Sequence, residues 1–411
     1  MKPDVVQAFR PAPHGGPEGP HYIRSKRLLI AGVSTRAAAE SAARAGYRVT
    51  ALDAFGDLDQ HPAVRALSLP RDFDRRFSAT AAARAARTIE CDAVAYVSSF
   101  ENHPRAVSTL TSGCELWGNS PAVLQRVRDP LAVSRALRTH HIPGPAVRLR
   151  PARQRNWLAK PLASGGGRGV RRWHRGDLVP RGCYLQEFVE GTPGSIVFLA
   201  AGGRAVPMGM SRQLVGEPAF GATGFKYCGS ILGAAGDVQF ARDRALVRAA
   251  RALVDAIARE FGLVGVNGID FIAHDGVPLA IEVNPRWTAS VELVERAYGL
   301  PVFAAHAAAC VSGALPVGDD FDLIEARRGV RAFGKAIVFA RHDVTVGDTR
   351  EWIDLGIRDV PHPGEQIQAG RPVCTVFATG RDAFGCHAAL VERAKRVYAD
   401  LATSSLRVRR A

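Results

Sequence analysis

The sequence predicts an α/β and α+β multidomain chain, and three observations carry that prediction. An apolar run, Leu28–Val33, is followed by an alanine-rich segment of helical period and a second apolar run, Tyr47–Leu52. Strand, helix and strand in that order open a parallel, Rossmann-like sheet. Beyond the punctuation His140-His141-Ile142-Pro143-Gly144-Pro145, short strands alternate with glycine-rich loops as far as Asn284. After about residue 320, the strands Lys335–Phe339 and Pro372–Phe377 stand among Pro/Gly turns, before a terminal helix near Phe384–Leu401. At roughly 150 residues per domain, 411 residues make about three domains. The expected division is a flexible arm over 1–26, a Rossmann-like lobe over 27–118, a central domain over 119–318 and a small β-rich domain over 319–411.

In the first lobe the helix over Ser34–Ala45 ends at Gly46, and the second strand ends at Asp53. The turn Gly32-Val33-Ser34-Thr35-Arg36 lacks the G-x-G-x-x-G spacing of a dinucleotide site, so a scaffold or substrate lobe is the reading. Two further strands, Ala93–Val97 and Glu115–Trp117, lead into Ser98–Asn102 and Gly118–Pro121. Ligands of such sheets lie beyond the carboxyl ends of the strands. Glu101, Asn102 and Asn119 are therefore candidate substrate contacts, with caps or turn formers as the alternative. A helix over Pro121–His141 is disturbed by Pro130, and a helical stretch, Val291–Gly313, closes the central region.

Composition narrows the function classes. The hydrophobic fraction, 47%, excludes wholesale disorder, and no apolar run reaches the ~20 residues that span a bilayer. The seven cysteines (91, 114, 183, 228, 310, 374, 386) show no C-x-x-C pair, so neither a zinc ribbon nor a disulfide framework is expected, and a reducing cytoplasm is. The net charge of +15 invites a nucleic-acid reading. However, lysine stands at only six positions and the abundant arginines are spread at helical spacing without interleaved aromatics. No specific nucleic-acid partner is expected.

Two segments carry phosphate chemistry. In Trp157–Val170 a strand delivers Lys160, and a loop follows with Gly165, Gly166, Gly167 and Gly169. Glycine lets backbone N–H groups approach a polyphosphate, and lysine adds a point cation. The lysine precedes the glycines, so this is not a Walker A loop; the alternative is a flexible loop beside a surface lysine. Next, Cys183–Gly191 reads as a strand ending in acids and glycine; alone it is an exposed strand end, and beside a phosphate loop it suits a hinge that hydrogen-bonds an adenine through backbone groups, with an acid near the ribose.

Gly268–Arg286 holds the densest local signal. Two strands flank His274-Asp275-Gly276, which marks a hairpin. Asp270, Glu282 and Asn284 are polar positions within apolar strands, and Glu282 and Asn284 share a face. Whether Asp270 joins them depends on loop parity. A two-residue Asp275-Gly276 loop pairs Asp270 with Ile281 and turns it away, whereas a three-residue loop pairs it with Ala280 and gathers all three oxygens. Convergence therefore predicts the three-residue loop. Two carboxylates and an amide oxygen suit Mg²⁺ or Mn²⁺. Arg286 points the same way and adds charge where phosphoryl oxygens would sit; a structural Glu282–Arg286 ion pair is the alternative.

Taken together, Lys160-Pro161 with its glycine loop, Gln186-Glu187-Phe188-Val189-Glu190-Gly191, and Asp270 with Glu282-Val283-Asn284-Pro285-Arg286 resemble the ATP-grasp superfamily over roughly 119–313. Its members are carboxylate–amine or carboxylate–thiol ligases and related carboxylases. Val360–Gly364 and Ala369–Val376 resemble the small C-terminal domain of the biotin carboxylase and phosphoribosyl-aminoimidazole carboxylase branch. The resemblance implies a two-lobed ATP-grasp domain with ATP between the lobes. Lys160 would contact the phosphates under the glycine loop. Gln186, Glu187 and Val189 would line the adenine pocket, with Glu190 near the ribose. Asp270, Glu282 and Asn284 would hold Mg²⁺, and Arg286 would steady the phosphoryl group and the acyl intermediate. Many members carry an Asp-Lys pair early in the domain. Here it is Asp129-Pro130, so either Arg128 supplies that charge or ATP is held more weakly.

Arg212 and Lys226 are the candidates for gripping the acid, with a surface ribbon as the alternative, and Glu292 is weighed as a base for the amine against a helix-surface acid. The implied activity is an ADP-forming ligase that activates a carboxylate as an acyl phosphate and joins it to an amine, as in cofactor biosynthesis. The alternatives are a carboxylase-type enzyme forming carboxyphosphate and a non-catalytic nucleotide-binding regulator. The expected partners are small acids and amines, without a membrane, in a homodimer.

Overall fold

The computed structural model describes residues 26–150, 156–234, 237–240, 243–316 and 331–408. The arm expected before residue 26 and the boundary at 318/319 lie outside them. Among the described residues no helix is long and apolar enough to cross a membrane.

Five parallel strands open the chain: β1 (Arg27–Ala31), β2 (Arg48–Asp53), β3 (Val64–Ser68), β4 (Ala93–Tyr96) and β5 (Glu115–Leu116), in the order β3-β2-β1-β4-β5. Both faces of β1 are buried, which is why it reads as a continuous apolar run. Leu28 and Ile30 pack on Ala38, Ala39 and Ala42 of the helix Arg36–Arg44, while Leu29 and Ala31 face Ala79, Ala82 and Ala83 of the helix Ala79–Ala86. Asp53 is structural. Its carboxylate accepts from Thr35 N and Oγ1 (3.1 and 2.7 Å) and from the backbone of Phe55 and Gly56 (3.0 and 2.7 Å). A disulfide joins Cys91 to Cys114, which corrects the expectation from cysteine spacing. The two residues lie 23 apart in sequence and flank the neighbouring strands β4 and β5, a proximity that only the sheet order creates.

The central region holds two antiparallel sheets. One contains β6 (Val147–Arg148), β7 (Trp157–Pro161), β8 (Arg171–Trp173) and β9 (Cys183–Glu187), in the order β6-β9-β7-β8. The other begins with β10 (Thr192–Ala201), β11 (Arg204–Val215), β12 (Tyr227–Leu232), β13 (Gly265–His274) and β14 (Val277–Asn284). The C-terminal segment adds β15 (Ala332–Phe339), a small ribbon of β16 (Val344–Thr345) and β17 (Gln366–Ile367), and β18 (Pro372–Gly380). Strands β15 and β18 extend the larger sheet to seven strands, in the order β14-β13-β10-β11-β12-β15-β18. The helix Asp243–Phe261 covers one face, over Ile196, Phe198, Ile269 and Phe271. On the other face Val197 and Leu199 meet Val294 and Phe303 of the helices Ala289–Tyr298 and Val302–Ser312.

Two breaks aim side chains. The segment Pro121–His141 forms two helices, Pro121–Val127 and Pro130–Thr139. Pro130 takes the first helical position, where its missing N–H costs nothing, and Asp129 caps it by accepting from Leu131 N (2.9 Å). Arg128 is left at the joint. The predicted Val291–Gly313 stretch likewise divides, its first helix stopped by Gly299 at φ 65°.

A fully buried guanidinium joins the pieces. Arg36 meets Glu292 (2.8 Å), Asp359 (2.7 Å), Glu40 (3.0 Å) and Asp59 (3.5 Å), and Glu292 also meets Lys335 (2.7 Å) and Arg296 (3.1 Å). The first lobe, the helix Ala289–Tyr298, strand β15 and the loop before β17 thus share one ionic cluster.

Candidate active site

The hairpin β13–β14 turns on Asp275 and Gly276, with φ 48° and 80°. Both are left-handed, as a two-residue type I′ turn requires, and His274 pairs with Val277. The three-residue loop is therefore not what gathers the oxygens. A bulge does: pairing runs regularly to Phe271–Ala280, skips Ile281, and resumes with Asp270 opposite Glu282 and Gly268 opposite Asn284. One extra residue reverses the parity of all that follows. The carbonyl of that residue, Ile281, accepts from Lys160 Nζ (3.1 Å) and Gln186 Nε2 (3.2 Å). A third bond, Lys160 Nζ to Gln186 Oε1 (3.0 Å), closes the link between the two central sheets.

Around this link the charges interlock. Arg128 donates to Glu282 Oε1 (2.8 Å), Val283 O (2.9 Å), Asn102 Oδ1 (3.1 Å) and Ser164 O (3.3 Å). Asp270 accepts from Gln213 Nε2 (2.8 Å) and Asn284 Nδ2 (3.0 Å). Arg286 donates to Asn284 Oδ1 (3.2 Å), and its Nε stands 2.7 Å from Glu101. Burial, and then the neighbouring Glu282 charge, pushes the Asp270 carboxyl up to about 6. Burial also acts on Glu282, but the cations Arg128 and Lys160 outweigh it and hold Glu282 below the usual carboxylate range. Burial lowers the Lys160 ammonium, against the pull of Glu282 and Asp270. A half-buried carboxylate pair of this kind favours a bound cation.

These residues line one cleft of about 1500 Å³. It brings together Lys160, Gly165, Gly166, Gly167, Gly169, Gln186, Glu187, Val189, Glu190, Asp270, Glu282, Asn284 and Arg286. The glycine loop is docked. Tyr227 N donates to Gly166 O (3.1 Å), and a Cβ on Gly167 would stand 1.8 Å from Phe225 O, so no side chain fits there. Glu101 and Asn102 also line the cleft, from the loop after β4.

Four candidates stand elsewhere. Asn119 is pinned between Asn267 (2.8 Å), Pro285 O (3.0 Å) and Val264 N (2.9 Å), as a tie between lobes. Lys226 donates to Gly370 O (2.9 Å) and lies over the Phe339 ring. Arg212 does not line the cleft; its neighbour Gln213 does, because adjacent strand residues face opposite ways. Glu292 is neither a base nor a surface acid but the buried centre of the ionic cluster, held well below the usual range by Arg36, Lys335 and Arg296 against its burial. Among the cleft residues not singled out from sequence are Gln213, the neighbour of Arg212, and Arg371, which lies within the Ala369–Val376 motif and reaches the cleft from the turn before β18.

Residues 127–290 match the family model of the ATP-grasp domain, and the chain carries that domain. No curated protein sequence matches the chain. Among solved structures, a biotin carboxylase of Campylobacter jejuni is similar at a TM-score of 0.66 and 13% identity, over 87% of this chain and 88% of that one. An L-amino acid ligase from Bacillus licheniformis is similar at 0.62 and 18%, over 90% and 97%. An N5-carboxyaminoimidazole ribonucleotide synthetase from Thermotoga maritima follows at 0.59 and 16%, over 94% and 98%. At these identities the likeness is one of fold.

Proposed function

We propose that the protein is an ATP- and Mg²⁺-dependent ligase that activates a substrate carboxylate as an acyl phosphate and joins it to an amine. The observation that carries this reading is the bulged hairpin, which sets Asp270 opposite Glu282 at the wall of a cleft shared with Lys160, Arg128, Arg286 and the glycine loop. Among the described residues no cluster of three or more His, Cys, Asp or Glu is arranged to hold a metal. Two carboxylates and the Asn284 amide fit Mg²⁺, which takes its remaining ligands from phosphates and water. When bound there, the ion neutralises phosphate charge.

Lys160 and the loop Gly165–Gly169 hold the phosphates, and Gln186, Glu187, Val189 and Glu190 border the base and ribose. Arg128 supplies the cation that the Asp129-Pro130 pair lacks. A carboxylate oxygen attacks the γ-phosphorus, the bond to ADP breaks, and the acyl phosphate forms beside Arg286. An amine nitrogen then attacks the acyl carbon, inorganic phosphate leaves, and the nitrogen gives up a proton. The docked glycine loop keeps water from the acyl phosphate. Arg286 and Arg371 replace Arg212 and Lys226 as the grip on the acid.

A thermal-shift titration with a non-hydrolysable ATP analogue and Mg²⁺ tests the reading. Lys160→Ala and Glu282→Ala should each lose most of the nucleotide-induced shift; full shifts in both would move the nucleotide site elsewhere. Bicarbonate-dependent ADP release without an organic acid would overturn the organic-acid assignment.

A further inference from the structure

We infer that the acid activated in this cleft is a phosphate-free molecule with a compact apolar side group, seated against Val33, Ala54, Phe55 and Phe77. The inference rests on the ligase reading and names the substrate class of the same cleft. Beyond the nucleotide half, the cleft continues across the carboxyl ends of β1, β2 and β4. The strand order β3-β2-β1-β4-β5 reverses between β1 and β4, and that switch point opens the crevice in which sheets of this type bind ligands. Val33 follows β1, Ala54 and Phe55 follow β2, and Ser98 and Ser99 follow β4.

Three features define the chemistry of this wall. First, Val33, Phe55 and Phe77 are only partly buried although they line a concavity; apolar groups left half-wet in a pocket favour an apolar ligand. Second, the first lobe contributes no arginine or lysine to the cleft, in a chain with 54 such residues. Arg71, which is close in sequence, is turned onto the Phe55 and Gly56 carbonyls. Third, the amino-terminal end of the helix Arg36–Arg44, where a phosphate would sit in a nucleotide-binding turn, already receives a carboxylate. Asp53 accepts there from Thr35 N and Oγ1, so a phosphate would meet like charge. Arg286, by contrast, lines the same cleft beside Asn284, at 3.2 Å. The acid therefore lies with its carboxylate toward Arg286 and its apolar end toward Phe55 and Phe77.

Binding is read first without nucleotide, by ligand-observed NMR with 3-phenylpropanoate, L-leucine and O-phospho-L-serine. Acid-dependent ADP release follows, with Mg-ATP and with hydroxylamine as the amine. The apolar acids should bind and turn over at least tenfold better than phosphoserine. Phe77→Ala and Phe55→Ala should each raise the half-saturating concentration of 3-phenylpropanoate about tenfold or more, with the ATP-induced thermal shift kept as the check on folding. Phe55→Arg should move the preference toward phosphoserine. Preference of the parent protein for phosphoserine, or unchanged half-saturation in both alanine variants, would overturn the inference. Loss of the ATP shift from the parent protein itself would overturn the ligase reading, and the nucleotide-free binding would still decide the pocket.

Discussion

Glu292→Gln tests the ionic cluster that holds the cleft together. Glu292 is 2% exposed and faces three cations, Arg36, Lys335 and Arg296. The glutamine amide keeps one acceptor, but its NH₂ group must face a cation. Arg36 retains Asp359, Asp59 and Glu40, and Arg296 retains Glu40. Lys335, 4% exposed, loses its one ion-pair partner among the described residues and keeps the carbonyl of Ala289 at 3.3 Å, the face of the Phe377 ring and the more distant charge of Asp359. An ammonium stranded in this way costs about 3–5 kcal/mol. Urea unfolding at pH 7 should show that loss, and Glu292→Gln/Lys335→Met should recover part of it, because the uncompensated charge is then gone. The sign with pH follows from the direction of the shift. A carboxyl held below its unfolded value stabilises the fold above about pH 4.5, and that contribution fades as pH falls toward the folded value. The gap between parent and variant should therefore narrow in acid. A loss under about 1 kcal/mol, or a double variant as weak as the two singles summed, would refute the reasoning.

Arg128→Met removes the guanidinium 2.8 Å from Glu282; at roughly 1.5–3 kcal/mol for a charged hydrogen bond, calorimetry should find Mg-ATP-analogue affinity down about tenfold to a hundredfold. Deleting Ile281 should leave Asp270 opposite Glu282 in a regular hairpin while removing the carbonyl shared by Lys160 and Gln186. Such a variant should keep its circular dichroism and lose most of the nucleotide-induced thermal shift. Asp270, raised to about 6, holds its proton longer folded than unfolded, so its contribution falls as pH rises from about 4 through 6, by up to about 3 kcal/mol. Without divalent cations, Asp270→Asn should therefore gain stability over the parent at pH 8 but not at pH 4; an equal offset at both would contradict it.

Local chemistry was legible where it repeats at short range. Lys160 before four glycines, the acids Glu187 and Glu190 at the end of β9, and the polar positions of β13 and β14 each sit within one or two strands, where residue type and spacing mark the element. The break at Pro130 was visible because proline acts on its own helix, yet its consequence, Arg128 turned onto Glu282 154 residues away, was not. Parity shows where side-chain patterning stops. The His274-Asp275-Gly276 turn marked the hairpin, but the bulge at Ile281 leaves no trace in alternation, because an extra residue changes the register without changing residue type.

Sequence by itself determined the strand–helix alternation, the glycine loop after Lys160 and the hairpin that carries Asp270 and Glu282, since these follow from propensity and spacing within neighbouring residues. Tertiary structure alone decided the partners brought from afar. Arg371 reached the cleft, Lys226 left it for Gly370, and Asn119 became a strut. Glu292 became the buried knot of three segments, and Cys91 met Cys114. Each of these outcomes depends on sheet order and the packing of distant elements, and no residue encodes that in its immediate neighbours.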